Sequence, residues 1–175
     1  MIPRPMRRES SCRRVELALA VALVWGGCTC TRIAGPAAQL VEAARGFSNL
    51  KALPASALVI QRLEITRVTA EPELSPPRVV FSFDLEGSAN GVAVSALGVE
   101  KVPMAYRDSR WQPVGSPLPR LEQTLAVLRP RSAGVVRWLI RVDVGKVEVT
   151  EELTGGARKV VRLTESPDGG VQPAN

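Results

Sequence analysis

Residues 135 to 165, VVRWLIRVDVGKVEVTEELTGGARKVVRLTE, constrain the fold more tightly than any other part of the chain. Apolar and charged residues alternate there with the period of two that sends successive side chains to opposite faces of a strand. Val144-Gly145 and Thr154-Gly155-Gly156 divide the stretch into three runs and supply turn chemistry of two and three residues. With those turns, Val142 faces Val147 and Ile140 faces Val149 on one side, while Arg141 faces Glu148 and Arg137 faces Glu152 on the other. The next hairpin sets Val149 against Val161, Val147 against Leu163, Glu148 against Arg162 and Glu152 against Arg158. A slip of one residue would place Glu148 opposite Leu163 and turn every side chain to the wrong face. An exposed ion pair contributes only about 0 to 1 kcal/mol, so these charges select the register more than they stabilise it.

One residue departs from the pattern. Glu151 shares parity with Val147, Val149 and Leu153, which points it to the apolar face with Trp138 and Lys159 as cross-strand neighbours. One reading makes it a desolvated carboxylate in a pocket, able to bind a ligand or donate a proton, with Trp138 and Trp111 available for stacking. The other makes it a strand-end glutamate paired with Lys159, and the tryptophans core residues. A single carboxylate with no second acid, histidine or activated nucleophile is a poor catalytic constellation. The chain contains no histidine, which removes Ser-His and Cys-His catalysis and every histidine-containing metal site. Gly87, Gly91 and Gly98 do not form a dinucleotide-binding fingerprint, and a phosphate-cradling Walker loop is missing. The sequence therefore assigns no catalytic residue, no cofactor and no metal. A pocket enzyme using Glu151 with Lys159 is the alternative to a non-catalytic protein.

Upstream, Pro36 suits the first turn of a helix, and Ala37, Leu40, Val41, Ala44 and Phe47 recur at helical spacing, which predicts an amphipathic helix to about Ser48. Beyond Pro54 the period becomes two. Leu58-Val59-Ile60 with Leu63 and Ile65 forms a first strand, interrupted by Pro72, Pro76 and Pro77. Val79, Phe81, Phe83 and Leu85 form a half-buried strand, Asn90-Gly91 turns the chain, and Val92 to Leu97 returns. Val102, Met104 and Tyr106 form a further strand that Asp108-Ser109 reverses into Trp111. Ser116 caps a second helix with Pro117 at its first position and Leu118, Leu121, Leu125 and Leu128 on one face, ended by Pro130. The expected class is α+β: an N-terminal helix packed on a curved antiparallel meander sheet with one inserted helix. Its outline is similar to the cystatin-like and NTF2-like folds over residues 36 to 164, in which a curved sheet wraps a helix. That resemblance is topological and assigns no function.

The N-terminus carries a different signal. Arg7, Arg8, Arg13 and Arg14 precede an almost unbroken apolar run from Val15 to Trp25, interrupted by Glu16, and then small residues, the three-part layout of a secretory signal peptide. The eleven residues fall short of the roughly 20 that a helical span requires. Val24-Trp25-Gly26-Gly27-Cys28 resembles a bacterial lipobox, with Trp25 at the position where leucine is usual. The resemblance implies cleavage between Gly27 and Cys28, a diacylglycerol thioether on Cys28 and acylation of its new amino group. Thr29, rather than an aspartate, resembles the outer-membrane sorting pattern. Four segments follow: a signal peptide over 1–27, a lipidated tether over 28–35, an α+β domain over 36–165 and a disordered tail over 166–175 with Pro167, Gly169, Gly170 and Pro173.

The formal charge of +6 then loses its first meaning. Past Gly27 there are 18 basic against 15 acidic residues, a balance of +3 with the signs interleaved, so the basic stripe of a nucleic-acid binder is missing. Of the three cysteines, Cys12 lies in the leader and Cys28 and Cys30 lie together before the domain, which leaves no disulfide framework for the fold. The expected partners are a lipid bilayer through acylated Cys28 and an envelope protein or small apolar ligand, with no nucleic acid. The expected address is the cell envelope, at the outer membrane facing the periplasm.

Overall fold

The computed structural model describes residues 35–166 and 170–173. The expected leader, Cys28 and the tether up to residue 34 lie outside the described residues. Helix α1 (Pro36–Arg45) runs directly into a 3-10 turn at Gly46–Asn49. Strands β1 (Ala52–Leu53), β2 (Leu58–Glu71), β3 (Arg78–Ala89), β4 (Val92–Arg107) and β5 (Arg110–Pro113) follow. Helix α2 (Pro119–Leu128) leads to β6 (Val135–Asp143), β7 (Lys146–Leu153), β8 (Arg158–Glu165) and β9 (Val171–Pro173). The sheet order is β1-β2-β3-β4-β6-β7-β8-β9, with β5 hydrogen-bonded to the far end of β4. Two helices and a mostly antiparallel sheet make the class α+β.

The last three long strands take the register that their sequence requires. Val142 pairs with Val147, Arg141 with Glu148, Trp138 with Glu151, Glu148 with Arg162 and Glu152 with Arg158. Val142, Val147, Val149, Val161 and Leu163 are buried. Asn90 and Gly91 both adopt positive φ, the twist that a two-residue hairpin between Ala89 and Val92 needs. In β2 a bulge between Ile60 and Arg62 moves the inward set from Leu58 and Ile60 to Leu63 and Ile65, which is why no single alternation runs through that strand.

Four expectations are corrected. The sheet is mixed rather than an antiparallel meander throughout, because Ala93–Gly98 of β4 pairs parallel with Arg137–Val142 of β6. A parallel pair needs a long crossover, and β5 with α2 supplies it. Second, Val92–Leu97 and Val102–Tyr106 belong to one 16-residue strand, β4. Gly98 keeps it continuous: its φ is +153°, and a Cβ there would overlap the carbonyl oxygen of Val142. Glycine here permits the close approach of β6 rather than a turn.

Third, α2 starts at Pro119 instead of Pro117, and Ser116 does not cap it. The Ser116 hydroxyl accepts a hydrogen bond from the Leu118 amide at 3.1 Å, in the turn before the helix. Fourth, the tail is not disordered throughout. Val171–Pro173 pair antiparallel with Leu163–Glu165, and Val171 is buried. Of the residues that suggested disorder, Pro173 is the last residue of this short edge strand, opposite Leu163, while Val171 fills its buried position.

The core is built mainly from aliphatic side chains, with Phe81 and Trp138 the bulkiest of its fully buried members. From α1, Leu40 and Ala44 are fully buried, and the Phe47 ring meets Phe81 edge-on at 5.7 Å. From α2, Leu121, Leu125 and Leu128 are buried on one face, as their spacing predicts.

Candidate functional site

Three places in the fold carry groups that could do chemistry or binding. The first is an open groove of about 1050 Å³ between α1, the end of β2 and the β4–β5 hairpin. Ala37, Ala38 and Val41 of α1 and Val68 and Ala70 of β2 give it apolar walls. Tyr106 and Trp111 face each other across the hairpin, rings edge-on with centroids 5.4 Å apart. Asp108 and Ser109 at the hairpin tip both take positive φ, which tightens the reversal and sets Tyr106 opposite Trp111. Arg45 and Arg110 stand among the groove's polar residues. Tyr106 is 58% exposed, a large aromatic ring held in solvent beside an apolar channel.

The second place is around Glu151. Its side chain is buried, as its parity requires, and its Oε1 has no hydrogen-bond partner among the described residues. Trp138, directly across on β6, is fully buried, and its indole N–H is likewise without a partner among the described residues. Lys159 is the register partner of Glu151 on β8 but is exposed, and no ion pair joins them among the described residues. Trp111 is elsewhere: it pairs with Tyr106, twelve residues along β4 from the Val94 that neighbours Trp138. At about 3.3 Å per residue this is roughly 40 Å of strand contour. The four residues singled out from sequence thus divide. Trp138 and Glu151 adjoin within the core, Lys159 lies at the surface, and Trp111 lines the groove.

The third place was missed in the sequence. Glu100 is fully buried on β4, and its carboxylate reaches the N-terminus of α2. Oε1 accepts from the Leu121 amide at 3.0 Å, and Oε2 from the Arg120 amide at 3.4 Å. Pro119, the first helical residue, has no N–H to offer, so Glu100 satisfies the next two donors of the helix. Burial pushes the Glu100 carboxyl up to about 7 from its ordinary 4.5. The Leu121 and Arg120 amides and the Arg120 guanidinium oppose that rise, and the Glu165 carboxylate adds to it. Arg120, itself buried, lies 3.4 Å from Glu165 and donates to the carbonyls of Asp143 and Lys146. One helix end is therefore tied to β4 by Glu100, and to the β6–β7 turn and β8 by Arg120. The signal was available: Val94, Ala96, Glu100, Val102 and Met104 share one parity, which runs on across the gap between the two strands expected at Val92–Leu97 and Val102–Tyr106.

These arrangements differ in what they can do. In the Glu100 cluster both carboxylate oxygens accept from helix amides and the Arg120 guanidinium donates to backbone, with the Arg120 Nε alone in the cluster lacking a partner among the described residues, a structural use. The Glu151 site offers a buried acceptor beside a buried donor. The groove offers concave apolar area, an aromatic pair and cationic side chains, the composition of a binding surface. Among the described residues, no cluster of three or more potential metal ligands occurs. Cys28, the expected lipidation site, lies outside the described residues. Comparison with known proteins finds no matching family model, no matching curated protein and no matching solved structure.

Proposed function

We propose that this chain is a lipid-anchored envelope protein whose domain is a non-catalytic binding module, with the groove beside α1 as its binding surface. The anchor rests on the sequence Val24-Trp25-Gly26-Gly27-Cys28 and the basic and apolar segments before it. The observation that carries the binding reading is the groove itself, with apolar walls from α1 and β2 and the Tyr106–Trp111 pair at its edge. In this reading the sheet curls around α1 in the manner of a cystatin-like or NTF2-like domain. The burial of Leu40 and Ala44 and the contact of Phe47 with Phe81 support that arrangement. The outer membrane, facing the periplasm, is the proposed location, on the strength of Thr29 after the cysteine.

Membrane fractionation of the wild type and Cys28→Ala tests the anchor. The wild type is expected in the membrane fraction, and the variant is expected to accumulate as an unlipidated precursor. Equal membrane retention of a lipid-free wild type and the variant would point to an uncut leader acting as the anchor and would overturn the proposal. A photo-crosslinking residue at Ala38 in the groove, compared with one at Glu64 on the exposed sheet face, tests the binding surface. Adducts at Ala38 that exceed those at Glu64 are expected, and equal labelling would sink it.

A second reading keeps one observation in its favour. Glu151 Oε1 is buried and without a partner among the described residues, which a pocket acid would require. Exposed Lys159 makes no ion pair with it among the described residues, so that reading would rest on the carboxylate alone.

A further inference from the structure

We infer that the groove beside α1 docks the domain onto the interfacial layer of an anionic bilayer, the membrane that holds its lipid. The inference rests on the lipid-anchor reading of Cys28. Three independent features converge on it.

Position comes first. Pro36 opens α1 eight residues after Cys28, and fully extended chain spans at most about 3.3 to 3.6 Å per residue, so the tether reaches at most about 29 Å. The groove is lined from the first turn of that helix, by Ala37 and Ala38. A surface so close to the point of attachment meets the bilayer at high effective concentration, and even a weak intrinsic affinity is then enough for docking.

Side-chain chemistry comes second. Tyr and Trp combine an apolar body with a polar edge and settle at the headgroup level of membranes. Tyr106 is the exposed ring of this kind, on the β4–β5 hairpin next to the apolar wall of α1 and β2, while Trp111 is half-buried beneath it with its indole N–H turned inward and without a partner among the described residues. An exposed aromatic of this size in contact with water has no evident role in the core.

Charge comes third. The hairpin carries Arg107 and Arg110 with Asp108 and Ser109 between them, a second irregularity of β2, between Thr66 and Thr69, carries Arg67 next to the groove residue Val68, and α1 carries Arg45. Of these, Arg45 lies 3.9 Å from Glu42, while Arg67, Arg107 and Arg110 have no carboxylate partner among the described residues. Arg45 and Arg110 line the channel and Arg67 and Arg107 adjoin its lining residues Val68 and Tyr106, so that four arginines against Glu42 and Asp108 leave it net positive, which favours an anionic surface. A neutral membrane or an uncharged apolar peptide would leave them without counter-charge.

The test uses the full-length protein, purified after processing in its native host and reconstituted in vesicles of phosphatidylcholine and phosphatidylglycerol containing brominated lipid. Intact mass first establishes acylation. Trp138 is fully buried and Trp25 lies upstream of the proposed cleavage site, so quenching relative to Trp111→Phe isolates Trp111. The expected result is quenching of Trp111 by shallow bromine labels, reduced several-fold in pure phosphatidylcholine, in 0.5 M salt and in the double variant Arg107→Glu/Arg110→Glu. Both substituted arginines are exposed, so the variant keeps its fold, and its unfolding midpoint checks this. An acylated, vesicle-bound protein whose Trp111 is not quenched would overturn the docking inference and leave the lipoprotein reading standing, with the groove free for a protein or small apolar ligand. A wild-type mass without acyl chains would remove both.

Discussion

Glu100→Gln isolates the energetic consequence of burying a carboxylate at the start of α2. The folded carboxyl titrates near 7 where the ordinary value is 4.5, a rise caused chiefly by burial. For an acid whose folded value is raised, stability is greatest below the unfolded value and falls as pH climbs through the folded one. A shift of this size corresponds to about 3 kcal/mol between the two limits, most of it lost between pH 5 and pH 8. Glutamine keeps an acceptor for the Leu121 amide but sets an NH2 donor where Oε2 accepts from the Arg120 amide, at a cost of about 1 kcal/mol at all pH values. The two proteins are therefore expected to be nearly equal in stability at pH 5, with the variant more stable by about 2 kcal/mol at pH 8. Urea unfolding at several pH values reads this as a crossing of midpoints with unchanged slope. Parallel stability curves for wild type and variant would refute the reasoning, and would mean that Arg120 and the two amides compensate the buried charge in full. Glu100→Ala supplies the contrast. It leaves two helix donors unpaired, while Arg120 keeps Glu165 and the Asp143 and Lys146 carbonyls, and is expected to cost about 2 to 4 kcal/mol.

Three further outcomes follow from the same geometry. Gly98→Ala places a Cβ on the Val142 carbonyl at a φ of +153°, and is expected to destabilise by more than about 2 kcal/mol in thermal or urea unfolding. Glu151→Leu removes a buried carboxylate with an unpartnered oxygen and is expected to be neutral or stabilising by about 1 kcal/mol, whereas a loss above about 2 kcal/mol would reveal a partner for Glu151. Glu148→Arg sets like charges opposite each other on β7 and β8 and is expected to cost under about 1 kcal/mol, recovered by adding Arg162→Glu.

The parts of the fold legible in the sequence are those encoded by neighbours in the chain. Strands β6, β7 and β8 announced their register because a slip would bury Glu148 and expose Val149, a conflict visible in the sequence alone. Asn90-Gly91 and Asp108-Ser109 marked their hairpins for the same local reason. The parallel pairing of β4 with β6 was illegible, because nothing local states which strand a returning chain will lie beside. Reading Val92–Leu97 and Val102–Tyr106 as two strands failed because Gly98 admits the Val142 backbone and lets one strand run on between them. That one misreading also concealed Glu100, and with it the true start of α2, since Pro117 and Pro119 both suit a first helical position and only a carboxylate from a distant strand decides between them. Of the side chains proposed as functional, Glu151 and Trp138 were placed by parity, whereas the groove that Trp111 lines depends on α1, β2 and a hairpin meeting in space.

The central claim, a lipid anchor at Cys28 carrying a binding domain, is tested most directly by the N-terminal tryptic peptide of the mature protein. The account predicts a peptide that begins at Cys28, ends at Arg32 and carries the mass of a diacylglycerol thioether with an N-acyl group. An unmodified peptide running from Val15 through to Arg32 would contradict it.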